Sequence, residues 1–183
     1  MNPDFNFKPV LMGPNLSLRP LVADDFEELY LAASDPKIWE QHPEPTRYQR
    51  DVFEHSFFKG ALASGSAFVA IDNAAKRIIG SSRYYEWNKE NAEVAIGFTF
   101  LACNYWGGTT NTEMKKLMLD HAFQWAEIVW LHIGIDNWRS RKAAEKIGAV
   151  FTHEERKEIN GKVRETAFYK IEKRKSPSPS LLI

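Results

Sequence analysis

The chain has 183 residues, 44% of them apolar and 13% aromatic, enough for one α/β-sized domain that hides roughly 70% of its extended-chain surface. Lys plus Arg (24) balances Asp plus Glu (24), which removes the attraction that nucleic-acid and anionic-membrane binders carry. The single cysteine, Cys103, excludes an intramolecular disulfide framework and a multi-cysteine metal site. No apolar run approaches the ~20 residues of a membrane span, and Met1 to Pro9 shows no charged-then-apolar leader, so a cytoplasmic location is expected.

In chain order, residues 1–13 read as an irregular lead-in, with Pro3, Pro9 and Gly13. Leu16 to Leu21 alternates as a strand, and Pro20 implies an edge or a strand end. Asp24, with Glu27 three residues on, caps a helix carrying Phe26, Leu29, Tyr30 and Ala33 at helical spacing. Thr46 and Gln49 repeat that pattern ahead of a helix that Gly65 stops. Ala67–Asp72, Arg77–Glu86 and Ala92–Leu101 read as an antiparallel meander, turned at Asn73 and at Asn88-Lys89. The next helix has an apolar stripe of Met114, Leu117, Met118, Ala122 and Trp125, with Lys115, Lys116, Asp120, Gln124 and Glu127 expected to face away. Val129 to Ile135 alternates as a strand. Asn137 caps a helix ended by Gly148, and a hairpin around Asn160-Gly161 joins the last two strands. Residues 172–183, charged and then rich in Ser and Pro, read as a disordered tail. No internal repeat is visible. The fold class is α/β (α+β), a mixed, mostly antiparallel twisted sheet with helices on both faces.

The chemistry concentrates in Phe98 to Glu113, which runs from a strand through adjacent glycines into the amphipathic helix. Free backbone N–H groups and the positive end of a helix dipole suit a phosphate or pyrophosphate. Gly107 and Gly108 lack the Cβ that would hold a ligand off, and Thr110 with Glu113 forms an expected capping box. A plain strand-to-helix turn has the same spacing. Neither a P-loop nor a Gly-x-Gly-x-x-Gly fingerprint is present.

Three passages, in order, resemble the GNAT N-acetyltransferases, particularly the RimJ/RimL-type branch, over residues 14–171. They are Leu16-Ser-Leu-Arg-Pro-Leu-Val-Ala-Asp-Asp25, Ile96-Gly-Phe-Thr-Phe with Tyr105-Trp-Gly-Gly-Thr-Thr-Asn-Thr-Glu113, and Asp136-Asn-Trp-Arg-Ser-Arg-Lys-Ala-Ala-Glu-Lys-Ile-Gly-Ala149. The resemblance implies an acyl-CoA-dependent N-acyltransferase moving acetyl from acetyl-CoA to a primary amine: a protein N-terminus, an amino acid or a small amine. It implies direct attack with no covalent enzyme intermediate. The strand near Phe100 and Leu101 would pair with the pantetheine arm. Trp106, Gly107, Gly108, Thr109, Thr110, Asn111 and Thr112 would hold the pyrophosphate. Asn137 would hydrogen-bond the pantetheine and Ser140 would stand near the departing thiolate. Thr109 and Asn111 stand where the family usually has small residues, and Ala95 where it often has Glu. These departures keep a second reading open, a CoA- or ligand-binding module without catalysis.

Glu93 is the carboxylate nearest the family's usual base position. Period-2 counting puts it with Ala95, Gly97 and Thr99, and puts Val94, Ile96, Phe98 and Phe100 on the other face. The commoner role of a lone acid at such a position is an exposed strand-start carboxylate. Asn137 reads as an N-cap in any case, and Ser140 as a helix-face residue. His121 and His132 read as core histidines and Cys103 as a small buried residue. No histidine spacing suits a metal, so none is expected. Trp39, His42, Arg83, Tyr84, Tyr85 and Trp87 fall where this family admits the acceptor. The expected partner is a small-molecule or peptide amine, with no nucleic acid or membrane, and the protein a monomer or homodimer.

Overall fold

Alternation of apolar residues builds eight strands, and the computed structural model, which describes residues 4–159 and 161–174, arranges them in one sheet. They are β1 (Leu11–Met12), β2 (Leu16–Pro20), β3 (Ala67–Asp72), β4 (Arg77–Asn88), β5 (Glu93–Leu101), β6 (Ile128–Gly134), β7 (Val150–Ile159) and β8 (Lys162–Glu172). The order is β1-β2-β3-β4-β5-β6-β8-β7, antiparallel throughout except for β5 against β6. The helices are α1 (Phe26–Ala33), α2 (Arg50–Phe53), α3 (Lys59–Ser64), α4 (Thr110–Ala122) and α5 (Trp138–Lys146). A π segment, Glu54–Phe58, joins α2 to α3, and Gly65 ends α3 in the left-handed conformation, φ 63°.

Strand alternation feeds two cores, one on each face. In β3, Phe68 and Ala70 join Met114, Met118 and Ala122 of α4 and Ala144 of α5. Ala67 and Val69 point the other way, into Leu29 of α1 and Phe53, Phe57 and Phe58 of the α2–α3 helix. Each of these buried Phe side chains contributes about 1.5–3 kcal/mol of transfer free energy. The α1–α3 lobe covers β3, β4 and the C-terminal half of β5. Beyond it the same sheet face, over β6 and β8, carries no helix among the described residues.

Several local expectations are corrected. The lead-in contains β1, and its Phe5 is buried against Tyr84 and Trp125, at 5.0 and 5.5 Å between ring centroids. Asp24 does not cap α1: Asp25 sits there, its carboxylate engaged by Arg19 and the Val22 N–H. Thr46 does not cap α2, which has Gln49 as N-cap, and the Thr46 hydroxyl donates instead to Glu44. Pro20 does close β2, but β2 lies inside the sheet. Gly161 has φ 72°, as a tight hairpin turn requires, while Asn160 and the Ser-Pro run from residue 175 lie outside the described residues.

Candidate active site

β5 and β6 pair only at Glu93–Ile128, Val94–Val129 and Ala95–Trp130. From Ile96 onward β5 pairs with β4 alone, and from Leu131 onward β6 pairs with β8 alone. The facing edges therefore diverge into a slot, closed at Glu93 and open toward Leu101 and Gly134. A sheet interior rarely leaves a strand edge unpaired, and the exposed edge of β5 can pair with an extended amide-bearing molecule.

Within the slot β5 carries a bulge. Arg83 opposes Gly97 and Ser81 opposes Phe100, so Ser82 alone faces both Phe98 and Thr99. Phe98 has φ 51°, a left-handed conformation that costs a non-glycine residue ~1–3 kcal/mol and tends to mark functional backbone. The bulge shifts the alternation. Val94, Ile96 and Leu101 face the α4 core, but Phe100 packs into the α1–α3 core against Trp39, at 5.3 Å, and Phe57, at 5.4 Å. The strict two-residue count that grouped Phe98 and Phe100 with Val94, and Thr99 with Glu93, is thus corrected. Thr99 turns to the α4 side, where its hydroxyl lies 2.7 Å from the Ser82 hydroxyl.

At the open end, a 3-10 turn at Cys103–Tyr105 leads into the loop. Trp106 Nε1 donates to the Leu101 carbonyl (2.8 Å), fixing the loop to the end of β5. Gly107 has φ 76°, and a Cβ at Gly107 or Gly108 would meet no atom within 4 Å. Thr109, not Thr110, is the N-cap of α4, and no side chain caps the helix. Glu113 turns away from the helix end to accept from Asn15 N (2.9 Å), Asn15 Nδ2 (2.8 Å) and Leu16 N (3.2 Å). The expected capping box is therefore replaced by a tie to β2. The first N–H groups of α4 stay uncapped, as an anion at this end requires. The side chains of Thr109, Thr110, Asn111 and Thr112 hydrogen-bond to nothing else among the described residues.

The other wall is the start of α5. Asn137 is its N-cap, with Oδ1 accepting from Ser140 N at 3.1 Å. Ser140 is half-buried. Arg139 joins both walls: its guanidinium stacks 4.2 Å over the Trp106 ring and donates to the carbonyls of Lys37 (3.2 Å) and Ile38 (2.7 Å). Glu93 sits at the closed end and lines, with Glu86, Trp130, His132 and Phe168, a groove of about 730 Å³ on the helix-free part of the sheet. The bulge lies five residues along β5, about 16 Å.

The remaining candidates divide. His121 is a core histidine, its Nε2 2.8 Å from the Asn6 carbonyl. His132 is half-buried, 4.4 Å from the Phe168 ring, with Nδ1 3.7 Å from Glu86. Cys103 is half-buried rather than buried, and desolvation pushes its thiol up to about 11, away from reactivity. Tyr84 leaves the acceptor side, its hydroxyl donating to the Met118 carbonyl (2.6 Å), while Trp87 packs on Phe5 at 5.1 Å and also lines the groove beside Glu93. Lys115, expected to face solvent, is buried at 7% exposure. Among the described residues no group of three or more His, Cys, Asp or Glu is placed to hold a metal. No helix among them is long and apolar enough to cross a membrane.

Residues 15–150, well over half of the chain, match the family model of the acetyltransferase (GNAT) domain. The chain belongs to the GNAT acetyltransferase family. Solved GNAT structures share its fold. A GCN5-related N-acetyltransferase from Brucella melitensis is 22% identical, with a TM-score of 0.77 over 94% of this chain and 80% of that one. A GNAT-family acetyltransferase from Bacillus anthracis is 16% identical, with a TM-score of 0.72 over 90% and 98%. The microcin C7 self-immunity acetyltransferase MccE, in complex with acetyl-CoA and AMP, is 18% identical, with a TM-score of 0.72 over 87% and 93%. No curated protein matches the chain. GNAT acetyltransferases use acetyl-CoA, and the residues present fit it: an unpaired β5 edge, an open glycine pair and an uncapped helix start.

Proposed function

We propose that this GNAT protein is an N-acetyltransferase of the RimJ/RimL type, acetylating a primary amine. The observation that carries the reading is the β5–β6 slot, paired over three residues and open from Ile96 to the loop that starts α4. Acetyl-CoA would supply the activated acetyl group. The β5 edge would orient its amide-bearing arm, with Phe100 and Leu101 contributing backbone. Trp106 to Thr112 would surround the pyrophosphate. The glycines leave room, and the free hydroxyl and amide groups of Thr109 and Asn111 add donors where the family has small side chains.

Asn137 would cap α5 and present its amide N–H₂ to the pantetheine. Ser140 would stand ready to protonate the departing sulfur. Glu93, on the groove side of β5 but about 16 Å along the strand from the bulge, would take the acceptor's ammonium proton through a relay of waters rather than directly. Release of free thiol from acetyl-CoA across a panel of peptide, amino-acid and small-molecule amines tests this reading. Amine-dependent release supports it. Acetyl-CoA binding without release for any amine would leave the binding-module alternative.

A further inference from the structure

Buried charges are normally paired, because desolvation is costly unless an opposite charge or several hydrogen bonds compensate. Among the described residues Arg47 and Arg83 are the two arginines in the buried class, 8% and 9% exposed, and neither forms an ion pair. More exposed arginines do pair, as Arg19 does with Asp25 and Arg141 with Glu154. Arg83 donates to the Gly60 carbonyl (3.1 Å) and lies 3.4 Å over the Phe98 ring, while its Nε is buried without a partner. Arg47 reaches Ser56 Oγ (3.1 Å) and the Ser56 carbonyl (3.2 Å) and sits over Trp39 and Phe57.

A donor surplus accompanies the charge surplus. His42 Nδ1 accepts the Glu44 N–H (3.0 Å), so the neutral ring carries its proton on Nε2. That N–H faces Arg47 Nη1 at 3.1 Å, two donors with no acceptor between them. Arg164 of β8 adds further positive charge to His42 and Arg47. Glu44 lends Arg47 some compensating negative charge but makes no ion pair with it, and accepts from Thr46 Oγ1 at 2.8 Å. The place is also informative. Arg83 stacks on the bulge residue Phe98. Arg47 stacks on Trp39 and Phe57, which pack against Phe100, and Pro43 of the same loop lies against Gly134 on the far wall.

We infer that His42, Arg47 and Arg83 form an anion subsite beside the β5 bulge, so that the acceptor is an amine that also bears a carboxylate or a phosphate. The inference rests on the acetyltransferase reading for the amine and on the arginines alone for the anion. A planar guanidinium matches either group through paired N–H donors, and an anion there would neutralise the buried charge and accept from both facing N–H groups.

Matched amines test it: an α-amino acid against its amide, and an aminoalkyl phosphate against the corresponding amino alcohol. The anionic member of at least one pair should have kcat/KM ~10-fold or more above its neutral partner, and the pair that responds distinguishes carboxylate from phosphate. Arg47→Met and Arg83→Met should bring that ratio toward one. In the absence of acetyl-CoA, inorganic phosphate should raise the melting temperature of the parent above chloride at equal ionic strength, and do so less in each variant. Equal kcat/KM within both pairs, or a phosphate response unchanged in both variants, overturns the subsite while leaving acetyl transfer intact. No thiol release from any amine, with phosphate still held through the two arginines, would sink the acetyltransferase reading and support the subsite.

Discussion

Lys115 Nζ lies 2.6 Å from Thr99 Oγ1, joining the middle of α4 to the residue after the bulge of β5. Its next partner is Ser82 Oγ at 3.5 Å, and no carboxylate among the described residues pairs with it. Burial pushes the ammonium down to about 7, from 10.5. The folded state therefore binds fewer protons than the unfolded chain between about pH 7 and 10.5, and stability from this group rises with pH across that window. Below about pH 7 the full cost of the buried ammonium is present. Lys115→Met should be more stable than the parent near pH 7, with the gap narrowing by pH 10. Denaturant midpoints of the two proteins at both pH values check this. Parallel pH profiles would contradict it.

Gly108 has room for a side chain in the protein alone and does not need a left-handed φ. Gly108→Val should therefore fold normally, yet place branched carbons where phosphate oxygens approach. Acetyl-CoA affinity should fall at least ~10-fold, about 1.4 kcal/mol, by calorimetry. Unchanged affinity in the folded variant would remove the glycine pair from the binding site.

Asn137→Asp keeps an oxygen for the Ser140 N–H, so the α5 cap and thermal stability should persist. The amide donor is lost. Weaker acetyl-CoA binding with an unchanged melting temperature is the expected pair of results. Normal binding would make Asn137 a cap and nothing more.

Glu93→Gln keeps the shape of the side chain and removes its basicity. With the acceptor protonated near neutrality, kcat/KM should fall by ~10²-fold with acetyl-CoA affinity retained. The defect should shrink at high pH, where free amine is abundant. Equal rates near neutrality would leave proton loss to water and transfer to proximity alone.

Much of this was legible in the residues. Alternation located the strands, and the Gly107-Gly108 run into an amphipathic helix located the loop. What escaped depended on tertiary partners. Phe98 adopts a left-handed φ without a glycine to announce it, and one such residue reverses every later side chain of β5. Glu113 had the spacing of a capping box, but Asn15, 98 residues away in sequence, captured its carboxylate. Lys115 did leave a signal: it lies three residues before Met118 and seven before Ala122, within the apolar stripe, and its charge concealed that phase. Arg47 left none, because its burial follows from a loop folding over Trp39 and Phe57.

The central claim is that the unpaired edge of β5 and the start of α4 receive acetyl-CoA, and amide hydrogen exchange with and without acetyl-CoA tests it most directly. Protection should rise at two places together, over Ile96–Leu101 and over Gly107–Thr112, with little change in β3 or β7. Tight binding that left both segments exchanging at their ligand-free rates would contradict the account.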